Sequence, residues 1–150
     1  MADSIIDAAA QVISVYEGFK NVPYYDGSAK YSIGYGFCWW NGRPVTATYP
    51  VSITQQEAID NLRSLVGNIL KKINALVKVK LSSNQLIALC SFCYNVGIPA
   101  FQNSTMLKDI NAGDFASAST EFPKWNLSGG KVIPGLTNRR AAEQKLFQTP

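Results

Sequence analysis

The sequence predicts an α+β fold that is mostly helical, with two lobes and a small β-sheet in one of them. Three observations lead to this prediction: an amphipathic helical pattern at the N-terminus, a run rich in turns and aromatic residues, and helical periodicity over much of the remainder. A chain of 150 residues is long enough to bury a sizeable core as one domain. We expect a β lobe at residues 18–53, a connecting helix at 54–77, and a helical lobe formed by 1–17 and 78–150, with a cleft between the lobes.

The composition describes a folded and mildly basic protein. Hydrophobic residues make up 47% of the chain and charged residues 16%, which favours a packed core over disorder. The formal net charge of +4 makes a polyanionic partner such as nucleic acid, an anionic membrane or a bacterial cell wall plausible. Because the cations are spread along the chain and no nucleic-acid-binding motif is present, we predict no nucleic-acid partner.

The cysteine and histidine content excludes several kinds of site. The chain has three cysteines and no histidine, so a His-based catalytic triad is impossible. Cys90 and Cys93 have CxxC spacing but no second pair to complete a zinc site, and they lie in an apolar helical stretch. We expect these two thiols and Cys38 to be buried packing residues of a protein made in a reducing compartment, and we predict no metal or cofactor.

The N-terminal stretch has neither a cationic start nor a continuous apolar run, so we predict no signal peptide. No segment approaches the roughly 20 apolar residues that a membrane-spanning helix needs, so we predict no membrane anchor.

The first helix is predicted over residues 4–17, where apolar residues recur at helical spacing. Ser4 and Asp7 fit an N-terminal capping box, and Gly18 provides a natural stop. Glu17 therefore falls in the last turn, where the negative end of the helix dipole and the flanking aromatic residues disfavour the charged carboxylate. A carboxyl group that holds its proton suits a general acid. The alternative interpretation is an ordinary glutamate in solvent at a helix end.

A β-hairpin is predicted next, with a strand that enters a turn at Asp26 and a return strand over residues 31–37. The hairpin would hold Asp26 and Ser32 near each other, facing the end of the first helix. The spacing Glu17-x8-Asp26-x5-Ser32 places two carboxylates on different local structures, as acid/base chemistry on a glycosidic bond requires. The alternative for Asp26 is a common use of aspartate, an Asx turn before Gly27.

The rest of the chain is predicted to be helical. Thr54 with Glu57 forms a capping box for the long helix, in which Gly67 could mark a bend. Ser82 or Ser83 caps the next helix, at 84–94, which is apolar nearly all round and is therefore expected at the centre of its lobe. Further helices are predicted at 104–110, 115–122 (ended by Pro123) and 136–147, with a loop at 128–130.

These residues resemble the phage-type lysozymes, or endolysins, of glycoside hydrolase family 24. Members carry Glu, then Asp after eight residues, then usually Thr after five, and next an Ile-Gly-Tyr-Gly-type strand, as Glu17, Asp26, Ser32 and Ile33-Gly34-Tyr35-Gly36 do here. Further shared motifs follow in order: Asn84-Gln85-Leu86-x-Ala88-Leu89, Ser91-Phe92, Tyr94-Asn95-Val96-Gly97, Ser104-Thr105-Met106-Leu107, Asn111-Ala112-Gly113-Asp114-Phe115, Gly130-Lys131-Val132-x-Pro134-Gly135-Leu136 and Arg139-Arg140-Ala141-x-Glu143.

The resemblance implies hydrolysis of the β-1,4 bond between N-acetylmuramic acid and N-acetylglucosamine in peptidoglycan, with inversion. Glu17 would protonate the leaving oxygen, while Asp26 and Ser32 would position a water molecule. Tyr94, Asn95 and Arg139 would bind substrate, with Arg139 close to Glu17, an arrangement that would favour the charged carboxylate instead.

Two positions depart from the family pattern. Ser32 replaces the usual Thr, so the hydroxyl is kept while its rotation is less restricted, which predicts reduced but real activity. Phe37 stands where the family commonly has His, so an apolar contact would replace a polar one.

The resemblance also implies a setting. A phage endolysin of this form would act as a monomer on bacterial peptidoglycan to lyse the host. It would gather in the host cytoplasm and depend on a holin-type membrane permeabiliser to reach the wall. Two alternatives are a catalytically weak or inactive module that binds peptidoglycan, and membrane disruption by the last helix. In that helix Glu143 lies among Arg139, Arg140 and Lys145, a pattern typical of a solvated face of a packed helix.

Overall fold

The computed structural model describes residues 2–150, and within them it confirms a mostly helical α+β fold with small antiparallel sheets. The helices are α1 (Ala2–Glu17), α2 (Gln55–Leu76), α3 (Ser83–Val96), α4 (Ile98–Gln102), α5 (Thr105–Asn111), α6 (Phe115–Ser119) and α7 (Pro134–Gln148), with a 3-10 helix at Phe122–Lys124. The strands are β1 (Lys20–Tyr25), β2 (Tyr31–Gly34), β3 (Trp39–Trp40), β4 (Arg43–Pro44), β5 (Leu127–Ser128) and β6 (Lys131–Val132).

The chain divides by packing into two compact units. One, here called the β unit, is Ala10–Leu65, and the other, the helical unit, contains the residues up to Ala9 together with Val66–Pro150. The boundaries fall inside α1 and α2. The division expected from the sequence, at residues 17, 54 and 77, follows the ends of elements and stays a prediction.

The β unit contains two antiparallel strand pairs, β1–β2 and β3–β4. In the first pair Tyr24 lies opposite Ser32 and Tyr25 opposite Tyr31, with an irregularity between Lys20 and Tyr24. The unit has its own core, because apolar side chains from α1, β2, α2 and the segments between them are almost completely buried: Ala10, Ile13, Ile33, Tyr35, Phe37, Val45, Ile53, Ala58 and Leu62. This core fixes the hairpin on which the candidate site is built.

The predicted helix ends are largely confirmed by their capping contacts. Before α2, the Glu57 backbone N–H donates to Thr54 Oγ1 at 3.1 Å and the Thr54 N–H donates to Glu57 Oε1 at 2.9 Å. Ser82 and Gln85 form the same reciprocal box before α3. α1 begins at Ala2, so Ser4 lies inside its first turn and not before it. α2 is assigned as one continuous helix through Gly67.

The core of the helical unit forms around α3, as its apolar sequence predicts. Ile87 to Cys93 are all buried, and the Phe92 ring contacts those of Phe101, Phe122 and Trp125. Burial raises the pKa of the Cys90 thiol to about 12, and the pKa of Cys93 is also raised. The two thiols are therefore packing groups, as predicted. Within residues 2–150, no helix combines the length and the apolar character that crossing a membrane requires.

The solvated face predicted for the last helix is wrong, since Arg139, Arg140 and Glu143 are 4%, 0% and 2% exposed. Glu143 Oε2 accepts hydrogen bonds from the Arg139 Nε at 3.2 Å, the Arg140 Nη2 at 3.2 Å and the Ser91 hydroxyl at 2.6 Å. Arg140 Nε and Glu143 Oε1 are 2.7 Å apart, close enough for strong attraction although the pair lacks hydrogen-bond geometry. Because α3 packs against α7, these charges face each other and not water.

Three smaller expectations are also corrected. Cys38 is exposed, because the chain reaches the surface after the buried Phe37, where Trp39 is exposed as well. The loop expected at 128–130 is the turn of the β5–β6 hairpin, whose two glycines both have positive φ, as a tight hairpin turn needs. Pro123 lies inside the 3-10 helix at Phe122–Lys124 and not at the end of a helix from 115 to 122.

Gly34 is predicted to be the most sensitive glycine of the β unit. Its φ is +65°, and a Cβ there would lie 2.6 Å from Phe37 Cε2 and 3.2 Å from Ile53 Cδ1. We expect Gly34→Ala to lower the free energy of unfolding by about 3 kcal/mol, because backbone strain and overpacking add. Gly42→Ala is the matched control, since Gly42 has φ +77° with nothing within 4 Å. Equal losses for both variants in urea unfolding would contradict the packing argument.

Candidate active site

Glu17 is the last residue of α1, as the sequence predicts. Gly18 ends the helix with φ +68°, and its N–H donates to the Ser14 carbonyl at 3.0 Å. The half-buried Glu17 carboxylate lies against the backbone of Gly36, because its Oε1 is 3.0 Å from the position that a Cβ would take at Gly36. A glycine at 36 therefore lets the chain after β2 come close to this carboxylate.

Asp26 lies in the turn between β1 and β2, with its side chain held by neighbours on both oxygens. Oδ1 accepts hydrogen bonds from the backbone N–H of Ser28 at 2.8 Å and from its hydroxyl at 2.6 Å. Oδ2 accepts a hydrogen bond from the Ser32 hydroxyl at 3.3 Å. The turn is an Asx turn, so the structural role weighed for Asp26 is present together with the contact to Ser32 that the functional interpretation needs.

Ser32 is buried, with 3% of its surface exposed, in the middle of β2. The antiparallel pairing with β1 places it opposite Tyr24, two residues before Asp26. Its hydroxyl therefore points along the same face of the hairpin as the Tyr24 side chain, and toward the Asp26 carboxylate. The expectation that the hairpin would hold Asp26 and Ser32 together agrees with this geometry.

Tyr24 links these residues to Glu17. Its pKa is raised, first by burial and then by the negative charges of Glu17 and Asp26, while a hydrogen bond with Ser32 acts in the opposite direction. Both carboxylates therefore act on the same phenol. Glu17, Asp26 and Ser32 thus share one region of the β unit.

The hydrogen bonds around Asp26 favour its charged form. The pKa of Asp26 is lowered, chiefly by the Ser28 hydroxyl and next by the Ser28 backbone N–H. A carboxylate with a low pKa is a weak proton acceptor but stays negative over a wide range of pH. Asp26 can therefore orient a water molecule and stabilise a developing positive charge.

The other predicted residues lie in the helical unit. Asn95 is exposed at the end of α3 and lines a groove of about 500 Å³, whereas Tyr94 is half-buried beside it. The remaining lining residues of this groove come from the same unit: Val96, Lys124, Trp125, Leu127, Ser128 and Leu136. Arg139 is buried and donates from Nη2 to the Ser91 carbonyl at 3.0 Å and from Nε to Glu143 Oε2 at 3.2 Å. Its predicted position beside Glu17 stays a prediction.

Reasoning from the sequence missed three residues of the site. Ser28 follows Asp26 at the spacing of an Asx turn, so its contact could have been foreseen from that motif. Gly36 lies in the return strand predicted over residues 31–37, and a close approach by another group is a known reason for a glycine in a strand. Tyr24 gave no signal, because its alignment with Ser32 depends on the register of the hairpin, which residue types alone do not fix.

Ser28→Ala is expected to raise the pKa of Asp26, because the hydroxyl that most lowers this pKa is removed. A lowered pKa keeps Asp26 charged to lower pH, so the variant should need a higher pH to ionise it. The measurement is an NMR titration of the Asp26 carboxyl carbon. Ser117→Ala is the control, because Ser117 holds Asp114 in a similar turn. There the backbone N–H of Ser117 lowers the pKa of Asp114 most, and alanine keeps that N–H, so the pKa should change less. An unchanged Asp26 pKa would refute the assignment.

Comparison with known proteins shows the family of this chain. A sequence profile of the phage lysozyme family matches residues 14–143. The chain is 41% identical to the endolysin of Bacillus phage PZA, in an alignment that covers 97% of this chain but only 55% of that protein. The chain therefore spans about half the length of this relative.

Solved structures show the same fold. The endolysin from Escherichia coli O157:H7 phage FAHEc1 superposes with a TM-score of 0.85 at 32% identity, covering 94% of this chain and 90% of that one. The muramidase domain of SpmX from Asticaccaulis excentricus gives 0.78 at 34% identity, covering 95% and 96%. The fold is that of a two-lobe α+β lysozyme, and the chain belongs to the phage lysozyme family.

Proposed function

We propose that this protein is a glycoside hydrolase that cleaves the β-1,4 bond between N-acetylmuramic acid and N-acetylglucosamine in bacterial peptidoglycan. The observation that carries the proposal is the Asp26–Ser32 pair of the hairpin, held at 3.3 Å, in the same unit as Glu17, whose Oε1 lies against Gly36 just beyond β2. Family membership and the name endolysin or muramidase of the relatives support it.

Glu17 is the general acid in this proposal. Departure of the sugar oxygen from a glycosidic bond requires a proton at the moment the bond breaks. Glu17 sits at the carboxyl end of α1, one turn after the buried Ile13, so the helix fixes the position of its carboxyl group. Gly36 places no side chain against Glu17 Oε1, which is 3.0 Å from the position that a Cβ would take there.

Asp26 and Ser32 hold the attacking water in this proposal. With Oδ1 occupied by Ser28, the Oδ2 atom and the Ser32 oxygen form the pair that a water molecule can bridge. The negative charge on Asp26 stabilises the oxocarbenium-like transition state from the side opposite the leaving group. Attack by water on that face inverts the configuration at the anomeric carbon.

The binding roles and the biological setting complete the proposal. Tyr94, Asn95 and Arg139 would contact the glycan, with the groove beside Asn95 as the place for part of the substrate. Lysis of the host, a monomeric state, dependence on a holin-type permeabiliser and residence in the host cytoplasm before release stay predictions from the family resemblance.

The proposed function is tested on purified peptidoglycan by following new reducing ends after addition of the protein. Reduction with borohydride and mass spectrometry then identify the sugar at each new end, which we expect to be N-acetylmuramic acid. Proton NMR of the first products distinguishes the α-anomer expected for inversion from the β-anomer of retention, which would make Asp26 a nucleophile.

The alternative outcomes separate the other interpretations. Binding to peptidoglycan without any new reducing end would establish a wall-binding module in place of an enzyme. New ends that carry N-acetylglucosamine would show cleavage of the other glycosidic bond. Killing of intact cells that persists without cleavage would point to membrane disruption.

A further inference from the structure

Tyr25, the last residue of β1, is an aromatic side chain that the core of the β unit does not bury, with 58% of its surface exposed. Its ring packs edge to face against that of Tyr31, with the ring centroids 5.6 Å apart. Its hydroxyl oxygen accepts a hydrogen bond from the backbone N–H of Ala29 at 3.1 Å. The Tyr25 side chain therefore lies along the turn that follows it and contacts the backbone four residues later.

The turn between β1 and β2 is held by side chains from its own beginning. Its base is closed by the Asp26 backbone N–H, which donates to the Lys30 carbonyl at 3.2 Å. Inside the turn, the Ser28 N–H donates to Asp26 Oδ1 at 2.8 Å, and the next N–H, that of Ala29, donates to the Tyr25 hydroxyl. Two successive backbone donors are thus bound by two successive side chains at the end of β1.

Ala29 has a backbone conformation that its side chain disfavours, with φ +66°. Glycine is the usual residue in this left-handed region, because a Cβ atom there crowds the backbone. Of the described residues other than glycine, only Ala29 and Asn41 have a positive φ. Such a conformation persists when the surrounding contacts fix it. The Tyr25 hydroxyl makes one of these contacts at the strained residue itself.

We propose that Tyr25 is a positioning residue whose hydroxyl fixes the left-handed Ala29 and, through the turn, the Asp26 carboxylate. The inference rests on the function proposed above, in which Asp26 and Ser32 hold the attacking water. A relaxed turn would move Ser28 away from Asp26 Oδ1, and Oδ2 away from the Ser32 hydroxyl that lies 3.3 Å from it. The competing interpretation is that the exposed Tyr25 contacts the glycan directly.

The kinetic test compares wild type, Tyr25→Phe and Tyr31→Phe on soluble peptidoglycan fragments. Phenylalanine keeps each ring, and of the two hydroxyls only that of Tyr25 has a hydrogen-bond partner within residues 2–150. We expect Tyr25→Phe to lower kcat about fivefold with little change in KM, as the loss of one neutral hydrogen bond predicts. Tyr31→Phe should match wild type. An unchanged kcat in Tyr25→Phe, or a loss confined to KM, would overturn the proposal.

Substitutions at Ala29 test whether Tyr25 acts through the turn. Ala29→Gly should keep at least about half of the wild-type kcat, since glycine adopts a positive φ without strain. Ala29→Val should lower kcat at least as far as Tyr25→Phe does, because a β-branched residue strongly disfavours that conformation. Adding Tyr25→Phe to Ala29→Val should cost less than about twofold more, since the effects of coupled residues are not additive. Full activity of Ala29→Val, or a further loss of about fivefold in the double variant, would contradict the proposal.

Two readouts that need no turnover separate this inference from the proposed function. Exchange of the Ala29 amide proton with solvent should be faster in Tyr25→Phe than in wild type, because the hydroxyl that binds this proton is lost. The Asp26 pKa is lowered chiefly by Ser28 and should rise in Tyr25→Phe. It is measured by NMR titration of the Asp26 carboxyl carbon, and Tyr31→Phe should leave it unchanged.

The outcomes of these two measurements are independent of catalysis. Both changes in a protein that cleaves nothing would support the positioning role of Tyr25 while the proposed function fails. An unchanged exchange rate at Ala29, or an unchanged Asp26 pKa, would overturn the positioning role even in an active enzyme.

Discussion

Glu17→Gln is expected to reduce glycan cleavage about 1,000-fold while leaving a folded protein that still binds peptidoglycan. The amide has nearly the same size and shape as the carboxyl group but cannot give up a proton to the leaving oxygen. The measurement is the rate of release of reducing ends per mole of protein. Circular dichroism and sedimentation with peptidoglycan show that folding and binding persist.

An acid-to-amide substitution at an exposed position outside the candidate site controls for the loss of a negative charge. Asp60 is an exposed carboxylate of α2, and its Oδ1 accepts a hydrogen bond from the Gln56 side chain at 2.9 Å. Asp60→Asn should keep full activity. If Glu17→Gln retained more than about a tenth of the wild-type rate, a general-acid role for Glu17 would be untenable.

Glu143→Leu is expected to destabilise the helical unit by about 4 kcal/mol. The substitution leaves two buried guanidinium groups, Arg139 and Arg140, without the carboxylate that both of them contact. Burial raises the pKa of Glu143, and Arg140, Ser91 and Arg139 oppose that rise, so the carboxylate and its partners depend on one another. The melting temperature should fall by roughly 10 °C.

Two further variants show whether the loss of stability in Glu143→Leu comes from the loss of the buried negative charge. Glu143→Gln keeps the shape and an oxygen for the Ser91 hydroxyl, so its loss should be smaller than that of Glu143→Leu. Asp60→Leu removes an exposed carboxylate and should change the free energy of unfolding by less than about 1 kcal/mol. A melting temperature for Glu143→Leu equal to that of wild type would show that the cluster contributes nothing to stability.

Much of the fold could be predicted because its signals are local. The reciprocal caps of α2 and α3 depend on residues three positions apart, and the end of α1 depends on the positive φ of Gly18. Strand pairs of two residues, such as Leu127–Ser128 with Lys131–Val132, are too short to show alternation. Only the two glycines between them carried a signal for that hairpin.

The site was predictable to the extent that it follows the spacing of a few residues. Glu17, Asp26 and Ser32 could be named from their pattern, whereas the alignment of Tyr24 with Ser32 depends on the strand register. The charges of α7 illustrate the same limit. A sequence with arginine and glutamate three or four positions apart fits a solvated helix and a buried one equally well. In this protein the pair is buried because α7 packs against α3.

The exposure of Cys38 makes it a natural attachment point for a spectroscopic label. Cys90 and Cys93 are buried, with their pKa values raised, so a maleimide at neutral pH should react with Cys38 alone. Cys38 also lines a groove together with Ala29, Lys30 and Tyr31 of the β1–β2 hairpin. A fluorophore coupled there would report the arrival of a glycan at the hairpin without any change to the native sequence.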